Sequence, residues 1–432
     1  MVQALRQQVA RADLAALHRR RPTDFTRQRQ LIFPVVLLLI LQKSLKSLQA
    51  RLHEWAGPAA PAATAGAFTR ARAKLRASVF VELNRTAVLP IVYGPAHGAL
   101  ARHWRGHRVL GLDSSRVRLP DSAALHAHFG TVPCANRHGA QGSFPEARVS
   151  VLYDLRHDLA LDGVVVGSRT GERALVAAHL PHAAPGDVLV TDRGYTSWQH
   201  FAQVRAAGLH FVARCSRQSF AAVQVLFAAD RAGVSQVVTL PAPPPRHEEC
   251  RRADGPLELR VRLVTVRLST GQLEVLATSL LDETAYPTAE LATVYGWRWG
   301  QETFYGRLKG RLDLEHCSGQ TVAAVEQDFA ATLLLANVES VLRGPAQAQL
   351  DAGAAGRTQP GQVNRAVSLH ALKTRLLDLL ASAVPAEQVL AELTRWFVQN
   401  PVSVRPARQV PRRVPSSARS YHYQRRVRKI IF

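Results

Sequence analysis

Between residues 106 and 213 the chain alternates short apolar runs with helical stretches, and two of those runs end on an aspartate. Arg108–Leu112 leads into Asp113, and Asp187–Val190 leads through Thr191 into Asp192. Ala147–Tyr153 and Leu159–Gly167, parted by Asp154–Asp158, read as a hairpin. A helical stretch near Glu172–Leu180, a helix over Ser197–Ala207 and a strand over His210–Ala213 complete the series. The order strand, hairpin, helix, strand, helix, strand predicts an α/β layer on a mixed sheet. In such layers the ends of central strands carry ligand-binding groups, which makes both aspartates candidates, although either alone is also an ordinary cap or turn residue.

The rest of the chain frames this layer. Residues 1–105 read as a helical domain, with helices over Ala4–Arg19, Leu31–Leu52 and Phe68–Ala87. The last carries Arg70, Arg72, Lys74 and Arg76 beside Phe68, Leu75 and Phe80 and suits a helix with one basic face, DNA-facing or merely solvated. Residues 216–280 break the alternation with strand-like Val234–Leu240, Leu257–Leu268 and Leu273–Ser279, a β insertion between core segments 106–215 and 281–345. A phase shift in the apolar positions of Leu257–Leu268 predicts a β-bulge. Helices return over Thr288–Arg311 and Ala323–Arg343, and a linker is expected at about 344–362. Residues 346–432 form a helical and basic C-terminal region whose last 32 residues, 401–432, hold nine cations and no acid.

The charge balance narrows the partner. Lys plus Arg number 55 against 32 acids, a formal charge of +23, which points to a polyanion. Only six of those cations are Lys, so Lys309 within an otherwise Arg-rich chain is informative. The apolar run Leu31–Leu41 contains Pro34 and is half the length a bilayer requires, so it reads as a core helix. Cysteines 134, 215, 250 and 317 form no close-spaced pair, and His126 and His128 lack a third ligand. With no signal-like N-terminal segment, the expected location is the cytoplasm.

Read as one helix, the segment around Glu302 puts Tyr295, Arg298, Glu302 and Lys309 on one face and Val294, Trp297, Phe304 and Leu308 on the other. An exposed Arg298–Glu302 ion pair is the ordinary explanation. Taken with Asp113 and Asp192, however, Glu302 makes a carboxylate triad suited to hard divalent cations, and two such ions activate an attacking oxygen and stabilise a leaving oxygen of a phosphodiester.

These residues resemble the DDE transposases of the IS-four type of bacterial insertion sequence. The likeness rests on Gly111-Leu112-Asp113-Ser114-Ser115, on Thr191-Asp192-Arg193-Gly194-Tyr195, and on Tyr295, two residues, Arg298, three residues, Glu302, six residues, Lys309. It extends through Phe25-Thr26-Arg27, Ala67–Arg72, Ala147–Asp154 and Ser318–Thr321, with Ser114 standing where the family usually has Gly. The resemblance implies a ribonuclease H-like core with a mixed five-stranded sheet, interrupted by the β insertion, with residues 1–105 as a helical N-terminal DNA-binding domain, in a bacterial protein associated with the nucleoid. It also implies Asp113, Asp192 and Glu302 as catalytic metal ligands for two Mg²⁺ or Mn²⁺ ions, and Tyr295, Arg298 and Lys309 as contacts to terminal DNA phosphates. The implied reaction is cut-and-paste transposition: cleavage at terminal inverted repeats, then strand transfer of the 3′-hydroxyl ends into target DNA by a dimer bridging paired ends, with no membrane partner. A decayed DNA-binding relative would have lost a carboxylate, and none is missing. A ribonuclease H-like nuclease that cuts without joining is distinguished by a strand-transfer assay.

Overall fold

The computed structural model describes residues 1–27, 29–43, 47–58, 61–94, 102–135, 141–243, 258–354 and 359–404. Its strands are β1 (Val109–Arg118), β2 (Thr131–Ala135), β3 (Gln141–Asp154), β4 (Leu159–Gly167), β5 (Val188–Thr191), β6 (His210–Arg214), β7 (Ser235–Pro241), β8 (Glu258–Arg267) and β9 (Leu273–Thr278). The chain forms two compact units that do not follow chain order: residues 1–100, 116–147 and 306–432 in one, and 101–115 and 148–305 in the other.

The second unit contains the expected ribonuclease H-like sheet, in the order β4-β3-β1-β5-β6. β1 and β5 are parallel, Gly111 opposite Val190, and β5 and β6 are parallel, Thr191 opposite Ala213. Parallel neighbours need crossover helices, and Trp198–Ala206 supplies the one between β5 and β6. Both faces are then covered, and Val188–Thr191 is buried at every position. The core beneath gathers Val109, Val188, Val190, Val212, Val264, Leu276, Leu291, Val294 and Tyr295.

The insertion extends this sheet. β9 pairs antiparallel with β6, β8 with β9 and β7 with β8, so the five strands continue through β6-β9-β8-β7. The expected bulge in β8 is not there: its register is unbroken against both β7 and β9. The phase shift has another cause, because Val261–Thr265 is buried on both faces, and a strand covered on both sides does not alternate. Within that stretch Arg262 is 1% exposed. It donates to Ser235 Oγ at 2.8 Å, the Tyr286 carbonyl at 2.7 Å and Thr288 Oγ1 at 3.1 Å. One guanidinium thus ties the added strands to the start of helix Thr288–Gly296.

In the first unit, β2 pairs antiparallel with the start of β3, Thr131 opposite Pro145. The remainder is helical. Phe33–Gln42 is the expected core helix, with Pro34 in its first turn, where a missing N–H costs nothing. Among the described residues no helix is long and apolar enough to cross a membrane. The expected helix Phe68–Ala87 is broken: Ala65–Arg72 ends, and Ser78–Leu83 begins anew before a π-helical turn at Asn84–Val88. Nor is Arg72 on a basic face. It is buried, donating to Gln327 Oε1, Ser318 Oγ and Asp328 Oδ1, and it joins two of the segments that carry the family resemblance. The linker expected at 344–362 is helical in its first part, since Val322–Ala352 continues through Pro345. Of the basic stretch 401–432, residues 405–432 lie outside the described residues.

Arg262→Ala should leave the acceptors at Ser235, Tyr286 and Thr288 without their donor in the interior. The expected loss is about 2–4 kcal/mol in a denaturant titration, several times that of an exposed Arg→Ala change.

Candidate active site

Asp113 lies in the middle of β1, which runs on to Arg118, at the point where the strand's burial stops. The β1–β5 pairing ends at Gly111 opposite Val190, two residues before Asp113 and Asp192, and the charge of Asp192 acts on Asp113. Asp192 follows β5 and opens the short turn Arg193–Tyr195. Asp113 is thus inside its strand rather than at its end, and Asp192 is just past the end of β5.

Their electrostatics diverge. Burial pushes the Asp113 carboxyl up to about 6, and Glu172 and Asp192 add to the rise against the Ser114 N–H and Arg298. For Asp192 burial works in the same direction. It is overcome by the Arg193 N–H, Arg214, Arg298 and the Tyr295 hydroxyl, so this carboxyl is held below its ordinary value. Arg214 Nε stands 3.2 Å from Asp192, while its Nη1 lies 2.7 Å from Glu274 on β9. The insertion thus supplies the acid that aims Arg214 at Asp192.

The segment carrying the signature is two helices, Thr288–Gly296 and Trp299–Gly310, with a turn at Trp297 and Arg298. Gly296, a poor helix former, sits at the break, so positions around one continuous helix do not hold across it. Tyr295 ends the first helix and is core-packed, its hydroxyl donating to Asp192 Oδ1 at 3.2 Å. Arg298, in the turn, is 5% exposed and donates to Glu302 Oε1 at 2.8 Å. Burial opposes its charge, but Tyr295, Glu302 and Asp192 outweigh burial and fix it as a cation. Both residues expected on an open phosphate-facing surface are therefore buried against carboxylates. Lys309, two turns beyond Glu302 on the second helix, donates to the Arg116 carbonyl at 2.6 Å.

Several positioning groups escape a sequence reading. Gln301, next to Glu302, is fully buried and donates to the Val151 carbonyl at 2.7 Å. Its Oε1 rests against Gly111, where an added Cβ would come within 2.4 Å of it. Tyr305, one turn after Glu302, donates to the Asp113 carbonyl at 2.7 Å. These two bonds straddle Glu302 and dock its helix on β1 and β3. The Ser150 hydroxyl lies 3.3 Å from the same carbonyl and 2.9 Å from His179 Nε2, whose Nδ1 meets Asp162 at 2.8 Å. Ser114 donates to Glu172, which also pairs with Arg148. A polar residue on an apolar helix stripe, as at Gln301, is the one sequence signal among them.

The donor set is all oxygen, which suits Mg²⁺ or Mn²⁺, and burial leaves the Asp113 carboxyl raised despite Arg298. Asp113 and Asp192 fit such an ion. Glu302 is turned to Arg298, and among the described residues no three His, Cys, Asp or Glu side chains gather as a metal site. His126 bonds Thr131 and Asp121 instead.

Residues 104–338, just over half of the chain, match the family model described as transposase DDE domain. Among solved structures the chain is similar to a cryo-EM structure of a piggyBac transposase synaptic complex with hairpin DNA. The TM-score is 0.42 at 11% identity, over 92% of this chain and 82% of that one. No curated protein matches.

Two outcomes follow from the geometry. Folded Asp113 keeps its proton to about pH 6, whereas the unfolded chain releases it near 3.8. Stability therefore falls as pH rises through that window. Asp113→Asn should raise stability at pH 7 without divalent metal by about 1–2 kcal/mol, with little gain below pH 4, as read by thermal melts. Gly111→Ala should force the Gln301 amide off the Val151 carbonyl and cost about 1–3 kcal/mol. Gly at a tolerant position such as 296, which has open space around a Cβ, is the control.

Proposed function

The chain belongs to the transposase DDE domain family, and from that premise we propose that it is a cut-and-paste transposase of the IS-four type, acting on double-stranded DNA. What supports this reading is the presence of Asp192 and Arg298 in the field of Asp113, with Gln301 and Tyr305 bonded to the Val151 and Asp113 carbonyls on either side of Glu302. The signature spacing from Tyr295 to Lys309 supports the finer family assignment.

In this reading Asp113, Asp192 and Glu302 would hold Mg²⁺ or Mn²⁺, which when bound supplies activation of the attacking oxygen and stabilisation of the leaving one. Glu302 must first leave Arg298. The freed guanidinium then faces the scissile phosphate with Tyr295 beside it, and Lys309 holds the strand further along. Tyr305 and Ser150 keep the Asp113 peptide fixed while the side chain changes partner. Cleavage at the terminal inverted repeats frees 3′-hydroxyls that join target DNA, and the working complex is a dimer bridging two ends.

The test uses duplexes bearing the inverted repeats that flank the reading frame. Asp113→Asn, Asp192→Asn and Glu302→Gln should each lower Mg²⁺-dependent cleavage by at least about 10³-fold while DNA binding persists. Full cleavage by one variant removes that residue from the site. Cleavage by the unaltered protein without joining would favour the nuclease reading.

A further inference from the structure

The Ser150 hydroxyl has one hydrogen and two neighbours able to take it. Ser150, on β3, lies 3.3 Å from the Asp113 carbonyl and 2.9 Å from His179 Nε2, and His179 Nδ1 lies 2.8 Å from Asp162 Oδ2 on β4. His182 Nε2 approaches the other Asp162 oxygen at 3.4 Å. Ser, His and Asp stand in the order of a nucleophilic triad, but Ser150 and His179 are both 0% exposed, so no substrate reaches the hydroxyl. It acts within the fold.

Three contacts in series need three hydrogens. A carbonyl and a carboxylate only accept, so the Asp113 contact takes the Ser150 hydrogen and the Asp162 contact takes one from His179 Nδ1. A neutral imidazole with its hydrogen on Nδ1 leaves Nε2 bare. Ser150 must then donate to His179, and its oxygen faces the Asp113 carbonyl with no hydrogen between them. With a hydrogen on Nε2 as well, His179 donates in both directions and Ser150 is free to donate to Asp113. That state pairs every polar atom in the series, and the Asp162 carboxylate matches its positive charge.

The Asp113 carbonyl is one end of a planar peptide whose other end is the Ser114 N–H, and that N–H donates to Asp113 Oδ1 at 2.8 Å. Tyr305 donates to the same carbonyl at 2.7 Å, so a Ser150 donor fills its second lone pair. Two donors on the carbonyl set the rotation of the peptide plane, and the plane aims the N–H at the carboxylate.

We propose that His179 is a positioning residue for the transposase reaction: it carries a hydrogen on Nε2, turns the Ser150 hydroxyl onto the Asp113 carbonyl and so orients the Asp113 carboxylate for a divalent metal ion. The inference rests on the reading of Asp113 as a metal ligand.

The full chain with ¹⁵N-labelled histidine, free of metal at pH 7, gives the first test. Long-range ¹H–¹⁵N spectra, with the His179 signal assigned by its loss in His179→Gln, should show a hydrogen on Nε2. A bare Nε2 would overturn the proposal whatever the metal does. Mn²⁺ alone, titrated against the full chain by electron paramagnetic resonance, gives the second test. Ser150→Ala should weaken Mn²⁺ binding about tenfold, the lower end of the effect of groups that orient metal ligands. Ser150→Thr keeps the hydroxyl and should bind as the unaltered protein does; equal loss in both would assign the effect to packing and overturn the role. His179→Gln should cost about as much alone and nothing further in the Ser150→Ala chain, since the two act in series. Additive losses of melting temperature with Mn²⁺ affinity unchanged would make the series purely structural and contradict the proposal. Loss of Mn²⁺ binding in Asp113→Asn with full binding in Ser150→Ala overturns the positioning role alone, whereas full binding in Asp113→Asn overturns the metal reading beneath it.

Discussion

Burying Asp113 and Asp192 is costly, and the cost is offset by backbone N–H groups, Ser114 at the first and Arg193 at the second, together with Arg298 at both and Arg214 at Asp192. Burial is the larger cost at Asp113, and the charges of Glu172 and Asp192 add to it. Arg298 stabilises the charged forms of both Asp113 and Asp192 while bonding Glu302. It is itself 5% exposed, held in a turn between two helices whose apolar faces close the core. Even so, the compensation is uneven. Asp192 gains Arg214 and the Tyr295 hydroxyl and stays below its ordinary value, while Asp113 is left raised. In the proposed function a divalent cation would complete this balance.

The surrounding architecture serves that balance. The insertion contributes β9, whose Glu274 orients Arg214, and β8, whose buried Arg262 anchors the approach to the Tyr295 helix. Gly111 leaves the space that Gln301 fills, and Tyr305 reaches the Asp113 carbonyl. Each is a short polar contact across elements distant in the sequence. Together they fix the angle at which the Glu302 helix meets the strand pair.

How much of this the sequence carries depends on the range of the interaction. Asp113 and Asp192 are legible because an apolar run ending on an acid is a local pattern, and the signature because its spacing is local too. The burial of Arg298 and Tyr295 is not, since the wheel that placed them outward ran through a break at Gly296. Arg72 likewise looks like one cation among four until Asp328, far along the chain, is seen to receive it. The apparent bulge in β8 is a two-sided burial that periodicity alone cannot separate from an inserted residue. Gln301, Tyr305 and Ser150 act through backbone carbonyls, which have no sequence identity to read.

The most direct measurement of the central claim is a crystal structure of the protein with Mn²⁺ and a cleaved DNA end, using the anomalous signal of the metal. The account predicts a peak between Asp113 and Asp192, with Glu302 turned off Arg298 toward it and the Arg298 guanidinium on a phosphate. A peak away from both aspartates, or Glu302 still bonded to Arg298 with DNA and metal in place, would contradict it.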